Sequence, residues 1–365
     1  MGDSLVFEYI LYKDINIDSY GGIILPLQGE YFITHNLQIN DIITVQIGSY
    51  YINMPIAKSY NFVDNGVSAL IFEKLTDNVQ FITMGGQFVL VHHIAHKENN
   101  KWVLNENFSY PLSFKFYLKE TQGYLKTYTA YSYLFDRRSN NRDDYADKSD
   151  EEFANFRNVT VGNIKPLKLY RSSSPVNKRF LRHAYVDALI KKANITKFVN
   201  LSDGIDTMQK KDYIFEDTYY SKQDVLFLQL PADYFCSYFE QGLKKAYLHM
   251  IKNDEPTLIH CVEGKDRTGF AIAILEALMG AKKSEIVADY FLSFKNFFRI
   301  EDDDPSGAVM KMNIIDFLSQ AFSTTLLKDD DLPTLANNYL LRIGLTNLDI
   351  IKIKKYLGGD DYEKK

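Results

Sequence analysis

Hydrophobic and polar residues alternate along the first third of the chain, as they do in half-buried β-strands. The alternation is clearest in IITVQIGSYYINMPI (residues 42–56) and continues in QFVLVHHIA (87–95) and SFKFYLKE (113–120). Turns rich in Gly, Asn and Asp separate these runs. We therefore predict that residues 1–135 form an all-β accessory domain with a barrel-like sheet.

The pattern changes after DRRSNNRDDYADKSDEE, residues 136–152, which has almost no apolar content and is typical of a charged, solvated linker. Beyond it, short apolar runs alternate with stretches of helical periodicity. The apolar runs are KFVNLSD, VLFLQL and PTLIHC, and the helical stretches include NKRFLRHAYVDALIKKA and SYFEQGLKKAYLHMI. This alternation predicts an α/β domain over residues 153–365, with a mainly parallel sheet flanked by helices and ligands at the carboxyl ends of its strands.

Composition and charge exclude several classes of protein. The chain has 365 residues, of which 46% are hydrophobic and 24% charged, as expected for two soluble globular domains. A net charge of −5 argues against a general nucleic-acid binder. No apolar run approaches the roughly 20 residues that span a bilayer, so we expect no transmembrane segment and a cytoplasmic protein. A chain whose export signal had been removed would have the same features, and the oligomeric state stays open.

The residues with side chains suited to catalysis are concentrated in HCVEGKDRTGF, residues 260–270. PTLIH predicts a buried strand and TGFAIAILEALMG an amphipathic helix that ends at Gly280, so the segment between them turns from strand to helix. Backbone N–H groups and the helix dipole at such a turn bind dianions such as phosphate, and Gly264 lets the backbone approach closely. The planar fork of Arg267 can hold two phosphate oxygens. The expected phosphate-binding residues are Val262, Glu263, Gly264, Lys265, Asp266 and Arg267.

Cys261 lies at the base of this expected phosphate loop, where the amides, the helix dipole and Arg267 favour its thiolate. A thiolate there can attack phosphorus in line, which gives a cysteinyl-phosphate that water hydrolyses without a metal or another cofactor. A cysteine considered alone is more often a buried core residue. The Cys-x5-Arg-Thr spacing on a strand–loop–helix favours catalysis instead, and it matches neither a Walker loop nor a C-x-x-C motif.

Residues 260–268 match every fixed position of H-C-x-x-G-x-x-R-[ST], the signature of the cysteine-dependent protein tyrosine phosphatase superfamily, which the chain resembles. The GKDRTG variant is similar to that of the bacterial tyrosine phosphatase family with dual-specificity and phosphoinositide-active members. NFRNVTVGNIKPLKLYRSSSP (155–175) and YLLRIGLTNLDIIKIKKYLG (339–358) resemble the two ends of that family's domain. The resemblance covers roughly residues 150–360. It implies the tyrosine phosphatase fold and a phosphorylated protein or phosphoinositide as substrate.

The leaving oxygen of a phosphoester needs a proton, and three aspartates are candidates for the general acid. Asp266 ranks first, because the family that the loop resembles uses the aspartate at this position as a candidate acid. Asp233 in LPADYF ranks second, 28 residues before Cys261, roughly where smaller members of the superfamily carry their acid. Asp203 in NLSDG ranks third. For the last two, a turn or a helix N-cap is the alternative role.

Several further residues are expected to support the site. His260 and Thr268 flank the loop, and the resemblance implies that Arg171 and Ser172 line the cleft, although a surface turn is the alternative. We expect the side chains of Lys265 and Glu263 to face outward. Lys265 is then a second basic residue beside the phosphate, which favours highly charged substrates such as inositol phosphates.

The negative charge of Glu263 partly cancels that of Lys265, so the substrate class stays open. Two alternative functions follow, an inositol polyphosphate phosphatase and a phosphate-recognition module without turnover. His92, His93 and His96 are weak candidates for a metal site, because a strand would point His92 and His93 to opposite faces.

Overall fold

The computed structural model describes residues 4–63, 66–99 and 101–359, and it divides the chain into two compact units. Unit 1 is Met1–Phe135 and unit 2 is Asp136–Lys365. None of the helices in the described ranges is long and apolar enough to cross a membrane.

Unit 1 is built around a curled sheet of eight strands in the order β1-β10-β4-β5-β6-β7-β3-β2. The strands of the unit, including two outside this sheet, are β1 (Leu5–Leu11), β2 (Asn16–Ile17), β3 (Ile23–Gln28), β4 (Ile42–Ile47), β5 (Tyr50–Ala57), β6 (Ser68–Ile71), β7 (Asn78–Thr83), β8 (Ala95–Glu98), β9 (Lys101–Leu104) and β10 (Leu112–Glu120). Strands β5 and β6 pair in parallel, the other described neighbours in this sheet are antiparallel, and β8 and β9 form a separate hairpin. The helices are α1 (Gly29–Thr34), α2 (Phe88–Val91) and α3 (Leu125–Arg137).

The predicted alternation holds only in part in β4 and β5, which also contain consecutive buried residues, and is clearest in β10. In β10, for example, Leu112, Phe114 and Phe116 are buried, while the residues between them are partly exposed. Alternate side chains of a strand point to opposite faces, so these three fill the core on one face of the sheet. The sheet predicted for this unit is therefore found, but the helices among its described residues show that the unit is not all-β, as the sequence predicted.

One predicted strand of unit 1 is wrong. Part of QFVLVHHIA forms α2, in which the adjacent residues Phe88 and Val89 are both buried, an arrangement that a strand with one exposed face does not allow. His92 follows α2 and its Nε2 lies 2.7 Å from the Ser68 hydroxyl, whereas His96 contacts Glu98 at 2.9 Å. These histidines therefore have separate partners.

Unit 2 has a central five-stranded sheet in the order β11-β12-β15-β13-β14. The elements are α4 (Asp150–Phe153), β11 (Arg157–Asn158), β12 (Leu169–Ser172), α5 (His183–Lys192), β13 (Lys197–Asn200), β14 (Asp224–Phe227), α6 (Ser237–Met250), β15 (Thr257–His260), α7 (Asp266–Leu278), α8 (Lys283–Phe298), α9 (Gly307–Ala321), α10 (Leu332–Arg342) and α11 (Asn347–Gly358). Strands β12, β15, β13 and β14 are parallel and β11 is antiparallel, which confirms the predicted mainly parallel sheet.

The register of the sheet brings the carboxyl ends of its strands together. His260 at the end of β15 pairs with Ser172 of β12 on one side and with Asn200 of β13 on the other. The loops that follow these strands therefore start from one edge of the sheet.

Helix α7 is central in unit 2. Nearly all of its side chains are buried, because it packs against β15, α8, α9 and α10. The sequence predicts an amphipathic helix here, whereas a helix enclosed on all sides is apolar all round. It ends before Gly280, as predicted, with that residue at φ +76°.

The charged segment 136–152 differs from the predicted solvated linker. Tyr145 is fully buried, and its hydroxyl donates a hydrogen bond to the Phe297 carbonyl at 2.6 Å. The Arg182 guanidinium lies 4.9 Å from the Tyr145 ring centroid. Within this segment, Ser149 and Glu152 form a capping box that begins α4. The segment therefore packs within unit 2 through buried Tyr145, despite its polar composition.

Candidate active site

The loop from Cys261 to Lys265 joins β15 to α7 at the carboxyl edge of the sheet. The Cys261 side chain is buried. The loop packs against the chain that follows β12, where the Ser174 N–H donates to the Val262 carbonyl at 3.0 Å. Gly264 adopts φ +67°, a conformation that side chains other than glycine rarely adopt.

Two buried side chains hold the carbonyls of this loop. The Asn155 amide donates to the carbonyls of Glu263 and Gly264, at 3.1 and 3.2 Å, and Arg171 Nη2 donates to the Gly264 carbonyl at 2.9 Å. Since the C=O and N–H of one peptide unit point in opposite directions, the N–H groups of Gly264 and Lys265 point away from Asn155 and Arg171. Such a loop can present its amides to an anion.

A buried ion cluster lies behind the loop. Arg157 Nε lies 2.8 Å from one carboxylate oxygen of Asp289 in α8, and Arg171 Nη1 pairs with the other oxygen. Burial alone would raise the pKa of Asp289, but the two guanidinium groups outweigh it and hold that pKa well below its usual range. Burial and the Asp289 charge raise the pKa of the neighbouring Glu276 carboxyl, which favours its neutral form. The cluster therefore has more positive than negative charge.

The structure corrects the expected place of Arg171. This side chain neither lines the cleft nor lies in a surface turn, because it is fully buried and contacts the loop from behind. Ser172 beside it is also fully buried. Sequence reasoning missed Asn155, Arg157 and Asp289. The first two stand in the NFRNV segment that carries the family resemblance, whereas Asp289 lies in an ordinary helical pattern that gave no signal.

A row of charged side chains runs along the loop and the first residue of α7. Arg138 Nη2 lies 2.6 Å from Glu263 Oε1, Lys265 Nζ lies 3.3 Å from Glu263 Oε2, and Lys265 Nζ lies 3.5 Å from Asp266 Oδ2. The expected outward position of Lys265 is wrong, because its ammonium is buried over the rings of Phe294 and Phe298. Its charge is therefore directed to Glu263 and Asp266.

Asp266 begins α7, and about a quarter of its side chain (24%) is exposed. Burial raises the pKa of its carboxyl, as does the charge of Glu263, while Lys265 and Arg267 act in the opposite direction. The net effect is a raised pKa, which keeps the carboxyl protonated to higher pH than an ordinary aspartic acid.

Arg267 and Asp233 are connected through one loop. Arg267 Nη1 donates to the Leu230 carbonyl at 2.9 Å, in the loop between β14 and α6. Asp233 lies three residues further along this loop, and burial raises its pKa. It is not the N-cap of α6, since Cys236 has that position and its sulfur accepts the Phe239 N–H at 3.4 Å.

The remaining predicted residues are buried around the end of β15. Asp203 accepts hydrogen bonds from the hydroxyls of Tyr213, at 2.7 Å, and Ser202, at 2.8 Å. The His260 ring lies 2.8 Å from the Tyr220 hydroxyl, and burial lowers the pKa of His260 to about 4, so its ring is neutral at physiological pH. Thr268 is fully buried in the first turn of α7.

Both cysteines are free. Within residues 4–63, 66–99 and 101–359, no group of three or more His, Cys, Asp or Glu side chains is arranged to hold a metal ion.

The central strand β15 of a mainly parallel sheet leads through a loop that contains Cys261 and Gly264 into the buried helix α7, which carries Arg267. This arrangement defines an α/β protein with a cysteine and an arginine at the carboxyl edge of its sheet. Residues 149–357, more than half of the chain, match the model of the tyrosine phosphatase family. The chain belongs to that family.

Individual relatives match over shorter stretches. The triple specificity protein phosphatase PtpB of Mycobacterium tuberculosis is 37% identical over 77 residues, which are 21% of this chain and 24% of PtpB. Among solved structures, P. aeruginosa TpbA is 20% identical with a TM-score of 0.28, over 48% of this chain and 92% of TpbA. An uncharacterized conserved protein from Thermotoga maritima is 15% identical with a TM-score of 0.22, over 28% of this chain and 33% of that protein. The chain thus spans about a quarter of PtpB and a third of the Thermotoga protein.

Proposed function

We propose that unit 2 is a phosphomonoesterase that hydrolyses phosphotyrosine through a cysteinyl-phosphate intermediate, without a metal. The observation that carries this proposal is the loop itself. Cys261 lies at its start, and the carbonyls of Glu263 and Gly264 are held by Asn155 and Arg171 on the side opposite to the amides. Such a fixed set of N–H donors stabilises charge on phosphate oxygens without reorganisation.

In the first step of this reaction, the Cys261 thiolate forms a bond to phosphorus while the bond from phosphorus to the leaving oxygen breaks. The fork of Arg267 and the loop amides of residues 262–267 bind the transferred phosphoryl group. Water then attacks phosphorus and gives a proton to the carboxylate that had protonated the leaving oxygen, while the bond from phosphorus to sulfur breaks, which releases inorganic phosphate and regenerates the thiolate. His260, with its neutral ring, fixes the end of β15 through Tyr220.

The leaving oxygen receives its proton from an aspartic acid. Asp266 is the first candidate, because it is partly exposed beside Arg267 and its raised pKa favours the protonated form needed in an acid. Asp233 remains the second candidate, since burial raises its pKa too and its loop contacts Arg267. Asp203 is the weakest, because the hydroxyls of Tyr213 and Ser202 already hold its carboxylate.

The substrate range is part of the proposal. PtpB is a triple specificity protein phosphatase, which makes phosphoserine, phosphothreonine and phosphoinositides worth testing beside phosphotyrosine. The charge of Lys265 is shared between Glu263 and Asp266, so little of it is left for a second phosphate group. This pairing favours substrates with a single phosphate over inositol polyphosphates.

The test is hydrolysis of phosphotyrosyl, phosphoseryl and phosphothreonyl peptides, phosphoinositides and soluble inositol phosphates, with reducing agent and EDTA. We expect turnover of the phosphotyrosyl peptide that is lost in Cys261→Ser and kept in Cys236→Ser, the matched change at the other free cysteine. Cys261→Ser should still bind a phosphotyrosyl peptide, since the loop amides are intact.

If the wild-type protein turned over none of these substrates, the proposed phosphomonoesterase activity would be refuted. Peptide binding without turnover would instead identify a phosphate-recognition module. Faster turnover of inositol polyphosphates than of every phosphopeptide would support the alternative function, an inositol polyphosphate phosphatase.

A further inference from the structure

Arg138 contacts the loop from Cys261 to Lys265, although it lies more than 100 residues before that loop in the sequence. Its guanidinium lies 2.6 Å from Glu263 and 4.0 Å from the centroid of the Phe180 ring, and its side chain is 19% exposed. Ion pairs of exposed arginines contribute little to stability. A largely buried guanidinium that stacks on an aromatic ring has a fixed position, and its ion pair is stronger.

The chain around Arg138 is anchored to the rest of unit 2. Arg299 donates to the carbonyls of Arg137, at 3.2 Å, and Asp144, at 3.1 Å. Tyr145 is fully buried and bonded to Phe297. Arg138 is therefore presented to the loop by a segment that is held at both ends.

Glu263 passes this contact on to the other charged groups. One of its carboxylate oxygens faces Arg138, and the other faces Lys265, which also contacts Asp266. Lys265 can thus pair with two carboxylates. The strength of its pairing with Asp266 depends on how strongly Arg138 pairs with Glu263.

We propose that Arg138 is a positioning residue of the active site, which holds Glu263 and thereby leaves Lys265 available to pair with Asp266. The inference rests on the proposed function, because it requires Asp266 to take part in proton transfer. It goes beyond that function by assigning a role to a residue well before the phosphatase signature.

The charged groups around this row determine the sign of the effect. Lys265, Glu263 and Arg267 face Asp266. Glu263 in turn faces Lys265, Arg138 and Arg179. When Arg138 loses its charge, Lys265 is drawn to Glu263 and the surroundings of Asp266 become more negative, so the Asp266 carboxyl should hold its proton to higher pH.

Removing the Glu263 charge should do the opposite. Lys265 is then left to Asp266 alone, and a negative neighbour disappears, so the Asp266 carboxyl should lose its proton at lower pH. Two substitutions of the same ion pair therefore predict shifts of opposite sign, which general damage to the fold does not produce.

The experiment is the pH dependence of kcat/KM for a phosphotyrosyl peptide in the wild type, Arg138→Gln, Glu263→Gln and the double variant. We expect the basic limb to move up by at least about half a pH unit in Arg138→Gln and down in Glu263→Gln. The double variant should follow Glu263→Gln alone, because Arg138 acts through Glu263. The matched control is Arg142→Gln, which breaks the pair with Asp150 and the hydrogen bonds to the Tyr145 and Lys148 carbonyls in the same segment, but no contact with Glu263, and should leave the profile unchanged.

Arg138→Lys keeps the positive charge and shows whether loss of that charge, and not of the packing contacts of the arginine, explains the result for Arg138→Gln. It should keep the wild-type basic limb. An active wild type whose basic limb is unmoved in Arg138→Gln, or moves in the same direction in both single variants, would overturn the inference and leave the proposed function intact. A wild type without turnover would overturn both.

Discussion

Gly264 lies so close to Ser172 that a Cβ atom on this glycine would be 2.0 Å from the Ser172 carbonyl oxygen. The same atom would lie 2.7 Å from the Ser173 nitrogen, so the obstacle is backbone and has no flexible side chain to move aside. The backbones of the loop from Cys261 to Lys265 and of the residues at the end of β12 are therefore in direct contact, and this contact fixes the loop relative to the sheet.

Gly264→Ala should accordingly distort the loop. We expect a loss of kcat/KM of at least about 100-fold, since misplaced amides and Cys261 both impair transition-state binding. The positive φ alone costs on the order of 1–3 kcal/mol of stability. The measurements are phosphotyrosyl-peptide hydrolysis and thermal unfolding.

Gly280→Ala is the control for backbone strain. Gly280 also has a positive φ, +76°, but its Cβ would meet only a side-chain atom of Asn163, at 3.1 Å. We expect lower stability with nearly normal activity. Equal loss of activity in the two variants would show that strain alone, and not the contact with Ser172, explains the first result.

Arg267→Lys tests the forked contact. One N–H of the guanidinium is bonded to the Leu230 carbonyl, and the others remain available to phosphate oxygens. An ammonium lacks this planar fork, so we expect kcat to fall by about 10²–10³-fold although the charge is kept. Arg342→Lys, at a half-exposed arginine paired with Glu240, should be close to neutral. A near-normal kcat for Arg267→Lys would refute the role of Arg267.

The ion cluster behind the loop predicts a stability effect. Asp289→Asn leaves the buried guanidinium groups of Arg157 and Arg171 without their carboxylate, a change that typically costs about 3–5 kcal/mol. Asp254→Asn breaks an exposed pair with Lys168, whose partner Asp254 is 84% exposed, and should cost less than about 1 kcal/mol. Chemical denaturation of both variants is the measurement, and equal costs would contradict the buried role.

The same cluster predicts how stability depends on pH. The pKa of Asp289 is lower in the folded chain than in the unfolded chain, because Arg157 and Arg171 favour its charged form over the opposing effect of burial. Its contribution is therefore complete above the unfolded value of about 3.9 and is lost as the pH falls below it. The free energy of unfolding should drop more steeply between about pH 4 and 2 in the wild type than in Asp289→Asn. Parallel curves would refute this assignment.

The strand–loop–helix around Cys261 was predictable from the sequence because its residues are contiguous. Cys261, Gly264 and Arg267 belong to one strand–loop–helix, so spacing alone describes their geometry. The parallel sheet was predictable for a similar reason, since each strand is a short apolar run whose period can be read locally.

The residues that hold the loop were not predictable in this way. Asn155 and Asp289 lie 106 residues before Cys261 and 28 residues after it, and only the fold brings them together. Polar composition also misled at residues 136–152, because Arg138 and Tyr145 find their partners in distant parts of unit 2. Tertiary pairing of charges has no period along the chain.

The general acid is identified by its dependence on the leaving group. Nitrophenolate departs without protonation, whereas tyrosine needs a proton in the transition state, and a general acid contributes about 10²–10⁴-fold. We expect Asp266→Asn to lower kcat/KM for a phosphotyrosyl peptide at least about tenfold more than for nitrophenyl phosphate. The basic limb of the peptide profile should disappear, because the raised pKa of Asp266 no longer governs it.

Asp233→Asn is the matched comparison, since burial raises the pKa of this carboxyl as well. If Asp266 is the acid, Asp233→Asn should affect both substrates equally and keep the basic limb. A purely structural Asp266 would give equal losses on the two substrates, because a misplaced loop slows attack on either phosphorus. If only Asp233→Asn shows the leaving-group dependence, Asp233 replaces Asp266 as the first candidate for the general acid. The proton would then come from the loop whose Leu230 carbonyl accepts a hydrogen bond from Arg267.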